Sequence, residues 1–484
     1  MLHSLLRLSH VSAIYSSMKL EFLFFLLGYI IIVLFLSFLF SKKMKNLEDF
    51  FFASRNLPAF LVYLSLAASW IGATSMLVSV DEAYMQGVSS FWVMGVPAVL
   101  TVFVFILFLA RPIRRLNIVT LPDLVEKRYG RVVRHLASLL IVWYMVLLAS
   151  SQMVAIGNFL KSFLGISYFY GLLLGTSIVF IYSILGGFFS VVVTDSFQFF
   201  LLAAGTVSLL VFLAGTSAPG EISLHASLLG KEGYFNFLFD LKKNCLIAFS
   251  FTLAWIISPI VWQRIQAART ERKATQGLFA AGITFFLLYW CIAIIGIFSL
   301  PIFPAGTQEG PILSALISSK TGPFLGGILF VAIVAAVMST MDTAINTGAL
   351  SLTRDVYQQI FSSNKTKNIL AVGRLSTIIV GAMAFLIATR LQSILKTLGL
   401  ASEIMAEGFF IPGVAMIFLR RKLPTAGFLS LLLGGGYSVG GFLCEVNLLQ
   451  LQWPSWPYSV PYGLALSLLG FISGSIIDLR VRKR

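Results

Sequence analysis

Charged residues are scarce in this chain. Only 11% of its 484 residues are Asp, Glu, Lys or Arg, whereas soluble globular domains contain about 25%. Hydrophobic residues make up 58% of the sequence. This balance excludes a soluble enzyme and predicts a chain that lies mostly within a lipid bilayer.

Cysteine and histidine are also rare, with three and four residues. Cys245, Cys291 and Cys444 are isolated and lie in or beside apolar segments, which predicts packed thiols rather than disulfides or a metal site. The sequence contains neither an HExxH pattern nor a GxxxxGK[ST] phosphate-binding loop. We therefore do not expect a zinc enzyme, ATP-driven transport by this chain, or any other enzyme built within the apolar segments.

Apolar segments fill most of the chain, and each is close to the about 20 residues that a helix needs to cross a bilayer. An all-α polytopic membrane protein with about 13 transmembrane helices is therefore predicted. We number the segments 0 to 12: 21–41, 57–82, 89–110, 132–160, 167–186, 187–214, 244–262, 276–303, 321–351, 368–389, 393–419, 425–445 and 459–479.

The formal net charge of +16 would suggest a nucleic-acid partner in a soluble protein. Here, 26 of the 35 Lys and Arg residues, with Arg134 and Arg264 among them, are assigned to alternate loops, and nine lie on the opposite side. Cytoplasmic loops carry such a basic excess, so the N-terminus is predicted outside and the C-terminus in the cytoplasm. Topology and anionic lipid account for the charge, and no nucleic-acid partner is expected.

Two apolar segments carry residues that interrupt a helix at bilayer depth. Segment 1 contains AASWIGATS at 67–75, and segment 6 contains Ser258 and Pro259. Irregular backbone within a membrane lines a cavity in the protein. Two such segments at corresponding positions of two halves indicate a secondary transporter with inverted repeats and sites at the bilayer midplane. A helix kink without a ligand is the alternative.

Segment 8 combines small, hydroxyl and acidic residues. Positions i, i+3, i+4 and i+7 share one helical face, and these are Ala336, Ser339, Thr340 and Thr343. Oxygen atoms in this arrangement suit a small hard cation, although hydroxyl groups that bond to their own helix would give the same spacing. Asp342 places a carboxylate in the same segment, and ionisable residues within membranes are functional candidates.

Further acidic residues lie in segments 5 and 10. Asp195 and Gln198 are three residues apart in VVVTDSFQ, and Asp195 is buried unless segment 5 begins later. Glu403 and Glu407 are one helical turn apart in segment 10. They can face a cavity or lie near the outer headgroups, and the sequence leaves both possibilities open.

These motifs resemble the sodium/solute symporter family. The resemblance covers residues 45–422 and rests on YSILGGFFS at the end of the stretch 165–190, VVVTDSFQ after it, EDFFFASRNLP at 48–58, WQRIQAARTERKA at 262–274, AAVMST at 335–340, TRDVY at 353–357 and GFFIP in segment 10. It implies a leucine-transporter-type 5+5 inverted repeat that takes up a small organic solute with sodium by alternating access.

The resemblance also implies a domain organisation. A short external segment at 1–20 precedes an extra N-terminal helix at 21–41, and the ten-helix core spans 57–419. Two C-terminal helices at 424–479 and a basic cytoplasmic tail at 480–484 complete the chain. Translation can begin at Met1 or at Met18.

Sodium is the one cofactor that the resemblance implies. Its ligands would be three backbone carbonyl groups and two hydroxyl groups, those of Ala68, Ile71, Ala336, Ser339 and Thr340. Some members bind a second sodium, which here implies Asp195, Ser339, Asp342 and Thr343. Asp342 stands where those members have a hydroxyl residue, so a second sodium, a proton or a purely structural carboxylate remain open.

The substrate positions depart from those of sugar-transporting members. The residues that bind galactose in those members align with Phe91, Ser258 and Ile260. Sialic-acid members use an arginine in segment 3, but this chain has no basic residue there between Arg134 and Lys161. Because sugars need several convergent polar groups, an amino acid-like or cationic solute over aromatic faces is favoured. Candidate substrate residues, most of which can equally be packing residues, are Trp70, Thr74, Ser75, Phe91, Trp92, Gln152, Trp255, Ser258 and Glu407.

Two other functions remain possible on the same fold. A proton-coupled symporter would use Asp195 or Asp342 for its ion chemistry. A transporter-derived solute sensor is the other alternative, but the four basic residues after Asp478 leave no room for a signalling domain. The expected partners are a small-molecule solute and the lipid bilayer, and no obligatory protein partner is evident.

Overall fold

The computed structural model describes residues 21–36, 38–39, 55–116, 118, 120–185, 188–216, 218–303, 310–361, 366–419 and 421–481. Within these ranges the fold is helical, and a single parallel bridge joins Leu57 to Ala268. The predicted external segment 1–20, tail residues 482–484 and the side chains of the YSILGGFFS motif lie outside the described part.

The α-helices of the described residues follow the predicted segments closely. In chain order they are α1 (Glu21–Leu36), α2 (Ala59–Trp70), α3 (Ala73–Gln86), α4 (Phe91–Val104), α5 (Ala110–Arg115), α6 (Leu121–Tyr129), α7 (Arg131–Leu164), α8 (Tyr168–Leu185), α9 (Phe188–Ala214), α10 (Pro219–Leu228), α11 (Leu241–Ile256), α12 (Pro259–Ala267), α13 (Glu271–Phe298), α14 (Ile312–Lys320), α15 (Pro323–Leu350), α16 (Gln358–Phe361), α17 (Thr366–Arg390), α18 (Ile394–Glu403), α19 (Phe410–Phe418), α20 (Pro424–Glu445) and α21 (Val460–Val481).

Shorter helical turns connect several of these helices. A 3-10 turn at Gly87–Ser90 lies between α3 and α4. Three π-helical turns continue longer helices: Phe105–Leu109 joins α4 to α5, Ser351–Tyr357 joins α15 to α16, and Ile404–Phe409 joins α18 to α19. Single π-helical turns within longer helices often mark functional sites.

The described residues contain nine helical runs long and apolar enough to cross a membrane, or ten if the bent pair α11 and α12 is one span. Three shorter apolar helices, α1, α2 and residues Tyr168–Ile181 of α8, occupy the other predicted segments. The prediction of an all-α polytopic membrane protein is confirmed. The count of thirteen spans stays a prediction, because these three helices are short for a bilayer.

Both predicted helix interruptions occur. The first helix of segment 1 ends at Trp70, and Ile71 and Gly72 adopt non-helical ψ angles of 78° and 176° before α3 begins. In segment 6, Ser258 has an extended ψ of 121° and Pro259 starts α12 at a bend of 45°. Proline lacks a backbone N–H and disfavours helical geometry at the residue before it, which explains this second break.

The long helix α15 lies at the centre of the molecule. It packs against α7, α9 and α17, and it contacts α2 and α3 on either side of the first break. The helix α13 covers the same broken segment from another side. This packing brings the hydroxyl-bearing face of segment 8 against the interrupted backbone of segment 1, which is the arrangement that the resemblance implies.

Arg134 was counted among the loop cations, and this assignment needs correction. It lies on α7 and is only 4% exposed. Its guanidinium group pairs with Asp123 at 3.0 Å and Asp355 at 2.9 Å, and also with Glu126. This buried network ties α6 and the π-helical turn after α15 to α7, so Arg134 acts in packing rather than in orienting a loop.

Candidate functional site

The predicted sodium-site residues meet at the junction of α2 and α15. Ser339 Oγ lies 3.0 Å from the carbonyl oxygen of Ala68 and 3.2 Å from that of Ala336. Thr340 Oγ1 lies 3.4 Å from the same Ala336 oxygen. Ile71 caps the C-terminus of α2 at the break. Because Ser339 reaches across to α2, hydroxyl bonding within its own helix does not fully account for its position.

Gly72 allows the broken backbone to approach α15 closely. A Cβ atom at this position would lie 2.4 Å from Thr340 Oγ1 and 3.1 Å from Gln152 Oε1. Its φ of −85° and ψ of 176° are accessible to any residue. Glycine is therefore needed here for space rather than for its conformational freedom.

A buried guanidinium group occupies the region of the predicted second ion. Arg264 Nη2 donates to Thr343 Oγ1 at 3.2 Å and to Ser69 Oγ at 2.6 Å. The same nitrogen lies 3.9 Å from Asp195 Oδ2, which also accepts a hydrogen bond from Ser69 at 3.4 Å. Arg264 and Asp195 are 1% and 0% exposed, so the two charges meet away from solvent.

Asp342 belongs to the same charged cluster. It is 1% exposed and accepts a hydrogen bond from Asn346, one turn further along α15. Its carboxylate and that of Asp195 both interact electrostatically with Arg264. Two carboxylates and one guanidinium group therefore lie beside the sodium-site residues, which makes the centre of the molecule strongly polar.

Arg264 is not among the site residues predicted from the sequence. Segment 6 was predicted to end at residue 262, and Arg264 was counted among the cytoplasmic loop cations, but α12 continues to Ala267. Its helical spacing contained a signal, since Arg264 follows the buried residues Ile260 and Val261 by four and three positions and shares their face. This is a second correction to the assignment of basic residues to loops.

A small cavity of about 50 Å³ lies beside the two helix breaks, enough for a few water molecules. Its aromatic wall includes Trp70 and Trp255, whose rings meet edge to face at 5.4 Å. The predicted substrate residues that line it are Trp70, Thr74, Ser75, Gln152, Trp255 and Ser258. Ile260, Arg264 and Thr340 also contribute, which places the cavity next to both ion-binding candidates.

Gln152 and Trp70 each contribute to the lining a polar atom that is buried without a hydrogen-bond partner in the described part of the chain. Gln152 Nε2 donates to Thr74 Oγ1 at 2.7 Å, and Gln152 Oε1 has no partner. The indole N–H of Trp70 is likewise unpartnered. Buried polar groups are normally satisfied, so these two atoms offer one acceptor and one donor to a ligand.

Three candidate substrate residues lie away from this cavity. Phe91 stacks on Trp290 with ring centroids 4.4 Å apart, and Trp92 donates to the carbonyl of Phe237 at 3.0 Å. Glu407 lies on the π-helical turn after α18 and faces Gly463 of α21. None of the three lines the cavity beside the breaks, so the substrate role predicted for them has no support in this arrangement.

The amino-acid sequence is similar to those of known transporters. A family model described as the sodium:solute symporter family matches residues 50–435. A sodium/proline symporter of Staphylococcus aureus is 25% identical, over 94% of this chain and 91% of its own length.

Solved structures show the same fold. A Na+-coupled sialic acid symporter in a substrate-bound outward-open state superposes with a TM-score of 0.77 at 19% identity, over 94% of this chain and 97% of the other. A nucleobase-cation-symport-1 family transporter in a closed conformation, with bromovinylhydantoin bound, gives a TM-score of 0.55 at 11% identity, over 90% and 96%. The leucine-transporter-type fold expected from the sequence is thereby confirmed.

Proposed function

This chain belongs to the sodium:solute symporter family, and we propose that it takes up an amino acid-like or cationic organic solute together with sodium by alternating access. Its relatives are transporters rather than enzymes. The chain is an integral membrane protein, and sodium is the ion that the family couples to solute movement. We further propose the plasma membrane as its location, with the N-terminus outside and the C-terminus cytoplasmic, as the distribution of Lys and Arg supports.

The convergence of uncharged oxygens between α2 and α15 is the observation that carries this proposal. Three distances describe this convergence. Ser339 Oγ lies 3.0 Å from the carbonyl oxygen of Ala68 and 3.2 Å from that of Ala336, and Thr340 Oγ1 lies 3.4 Å from the Ala336 oxygen. We propose the carbonyl of Ile71 as a fifth ligand. Hard oxygen ligands suit alkali and alkaline-earth cations, and a site without carboxylates favours a monovalent ion over a divalent one.

Coupling requires that sodium bind one state of the transporter better than the other. The site joins two helices that belong to different halves of the fold, so sodium stabilises the arrangement in which α2 and α15 are together. A single charge that enters down a 100 mV potential contributes about 2.3 kcal/mol. This electrical contribution alone sustains roughly fortyfold accumulation of solute, because every 1.4 kcal/mol is a tenfold ratio.

The chemistry of the cavity supports an amino acid-like solute. Gly72, at the N-terminus of α3, provides no side-chain cap, so backbone N–H groups and the positive end of the helix are available to a carboxylate. Gln152 Oε1 can accept a hydrogen bond from an ammonium group. The faces of Trp70 and Trp255 suit an apolar ring or an organic cation. Proline is a natural first candidate, since a curated relative is a sodium/proline symporter.

We propose a single sodium ion per transport cycle. The region between Asp195 and Thr343 already contains the guanidinium group of Arg264, which supplies there the positive charge that a second sodium would bring. In this proposal Asp195 and Asp342 are structural partners of Arg264. A second sodium beside Asp342, and coupling to a proton in place of sodium, are the rival possibilities.

A ligand screen on the purified full chain identifies the solute. Thermal unfolding midpoints would be measured with proline, other amino acids, quaternary amines, vitamins and sugars, each in sodium and in choline buffer. We expect an amino acid or a quaternary amine to raise the midpoint in sodium only. A rise with sugars alone would contradict the proposed solute class, and a sodium-independent rise would contradict the coupling.

Uptake into proteoliposomes tests the sodium site directly. The double variant Ser339→Ala/Thr340→Ala is expected to lose sodium-stimulated uptake of the identified solute, because both hydroxyl ligands are removed. The matched control is Ser138→Ala/Thr206→Ala, which removes two buried hydroxyls that bond to their own helices. Uptake with unchanged sodium dependence in the first variant would refute the site, and uptake driven by a pH gradient without sodium would favour the proton-coupled rival.

A further inference from the structure

Glu403 and Glu407 form a second buried acidic group, and neither residue lines the cavity beside the helix breaks. Glu403 ends α18 and Glu407 follows one turn later in the π-helical turn Ile404–Phe409. Their side chains are 3% and 0% exposed. The turn packs against α20 and α21, so both carboxyl groups lie in the interface between the core and the C-terminal helices.

The hydrogen bonding of the two carboxyl groups is unequal. Ser459 donates to Glu403 Oε1. Neither carboxyl oxygen of Glu407 has a hydrogen-bond partner among the described residues, although both oxygens are fully buried. An ionised carboxylate in such a place is strongly unfavourable, because it has lost its hydration and gained no compensating contact.

No basic group of the described residues compensates this pair. Glu445 of α20 acts on Glu403, and Tyr437 of the same helix interacts with both carboxyl groups and with Tyr462 of α21. Lys396 of α18 is bound to Glu445. The helices α7 and α11, which also pack against the turn, bring no charged residue that acts on either carboxyl group. The electrostatic surroundings of Glu407 are therefore neutral or negative.

Space is also restricted around Glu407. A Cβ atom on Gly463 would lie 2.4 Å from Glu407 Oε2, and one on Gly434 would lie 2.1 Å from the Glu407 backbone oxygen. The backbones of α20 and α21 therefore pack directly against Glu407 at Gly434 and Gly463. A metal cation needs several oxygen ligands around it, whereas a proton needs no additional room.

We propose that Glu403 and Glu407 form a proton-binding site at the interface with the C-terminal helices, in which Glu407 carries the proton when α20 and α21 are packed against the core. Release of this proton places a negative charge against the backbone of α21 beside a second carboxylate. The contact between the π-helical turn and the C-terminal helices then weakens. The ligand is a proton, and its site is separate from the proposed sodium site.

Infrared spectroscopy of the purified full chain tests the protonation state. The wild type is expected to show a protonated-carboxyl C=O band at neutral pH, and Glu407→Gln is expected to reduce it. Glu445→Gln is the matched control, because Glu445 lies on the adjoining helix and is paired with Lys396. An identical band in wild type and Glu407→Gln, or no such band in the wild type, would overturn the proposal.

Thermal unfolding at a series of pH values gives an independent measurement. A carboxyl group that keeps its proton in the folded state but loses it at about pH 4.3 when unfolded destabilises the fold as the pH rises. Above that value, the folded-to-unfolded ratio of the wild type should fall about tenfold per pH unit relative to Glu407→Gln, until the folded protein itself releases the proton. The variant is therefore expected to be the more stable protein at neutral pH.

A second variant, Glu407→Leu, is the control for misfolding of Glu407→Gln. Glu407→Leu is also uncharged and similar in volume, and it should share the higher midpoint at neutral pH if Glu407 is protonated. The proposal would be wrong if both Glu407 variants were less stable than the wild type and if sodium or potassium raised the thermal midpoint of the wild type but not of the variants. Glu407 would then bind a metal cation instead of a proton. These measurements require no solute, so their failure leaves the proposed transport function untouched.

Discussion

Asp195 and Glu407 are both fully buried acidic residues, yet they lie in opposite electrostatic surroundings. Asp195 lies beside Ser69 and the guanidinium group of Arg264. Glu407 lies against glycine backbones, and its nearest charged neighbour is Glu403. Burial alone therefore does not decide what an acidic residue does within a membrane protein. Asp195 has a basic partner 3.9 Å away, whereas Glu407, for which we propose a bound proton, has none among the described residues.

Removal of the basic partner should produce the largest effect. Arg264→Gln leaves Asp195 buried without its cation, and breaking a buried pair in this way costs about 3–5 kcal/mol. We expect low yield and a much lower thermal midpoint. The double variant Asp195→Asn/Arg264→Gln should recover part of the loss, since Asp342 is then the one carboxylate of the cluster that has lost its cation.

The surface pair of Arg115 and Glu271 provides the control for this experiment. Arg115 is largely exposed, so Arg115→Gln should change the midpoint little. If Arg264→Gln were as stable as the wild type, Arg264 would not compensate Asp195. If that variant also bound an additional sodium ion, the proposal of a single sodium would be supported, because the guanidinium group would have been shown to fill the second site.

Glycine contacts at the C-terminal interface should produce the next largest effect. Gly434→Ala would place a Cβ atom 2.1 Å from the Glu407 carbonyl oxygen, whereas Gly436, two residues later on α20, has open space around it. Overpacking costs about 1–3 kcal/mol. We expect Gly434→Ala to lower the thermal midpoint and Gly436→Ala to leave it unchanged or slightly higher. Equal midpoints would show that α20 is not held closely against the turn.

At the proposed sodium site, Gly72→Ala should weaken sodium binding while the fold is retained. Its Cβ would lie 2.4 Å from Thr340 Oγ1, and we expect the sodium-dependent rise in thermal midpoint to need roughly tenfold more sodium, which corresponds to about 1.4 kcal/mol. Gly322→Ala is the control, because Gly322 is also a helix N-cap and has nothing within 4 Å. An unchanged sodium response in Gly72→Ala would contradict the close approach of α2 and α15.

The smallest effect is expected at the pair of Lys396 and Glu445. Their side chains are 47% and 25% exposed, and exposed ion pairs contribute about 0.2–1 kcal/mol. Lys396→Gln should therefore alter the midpoint only slightly and should leave its pH dependence intact. A variant that abolished the pH dependence would indicate that Lys396, rather than a proton, compensates Glu403 and Glu407.

Helical periodicity and resemblance together predicted much of the site. The spacing of Ser339 and Thr340 placed both hydroxyls on one face of segment 8, and the mixed residues at 67–75 predicted a broken helix opposite them. Asp195 was predicted to be buried unless segment 5 begins later, and it is 0% exposed. These conclusions concern residues within one helix, where geometry follows from the chain itself.

Contacts between distant helices were harder to predict. Arg264 was assigned to a loop because hydrophobicity locates the end of a helix only approximately. Its partner Asp195 lies 69 positions earlier in the chain, so sequence spacing could not pair the two residues. Glu407 was grouped with substrate residues, although its face turns toward α20 and α21. The direction in which a polar residue faces depends on how neighbouring helices pack, and sequence spacing alone carries no information on that packing.

The sequence by itself determined that this chain crosses a membrane as a set of helices, two of them broken, because lipid forces every backbone group to bond within its own segment or line a cavity. Composition and the positions of glycine and proline are sufficient for that conclusion. Tertiary structure alone decided which charges meet. Arg264 reaches Asp195, and no basic residue in the described part of the chain reaches Glu407. Such pairings depend on helix packing over a few ångströms, where electrostatic energies change steeply with distance.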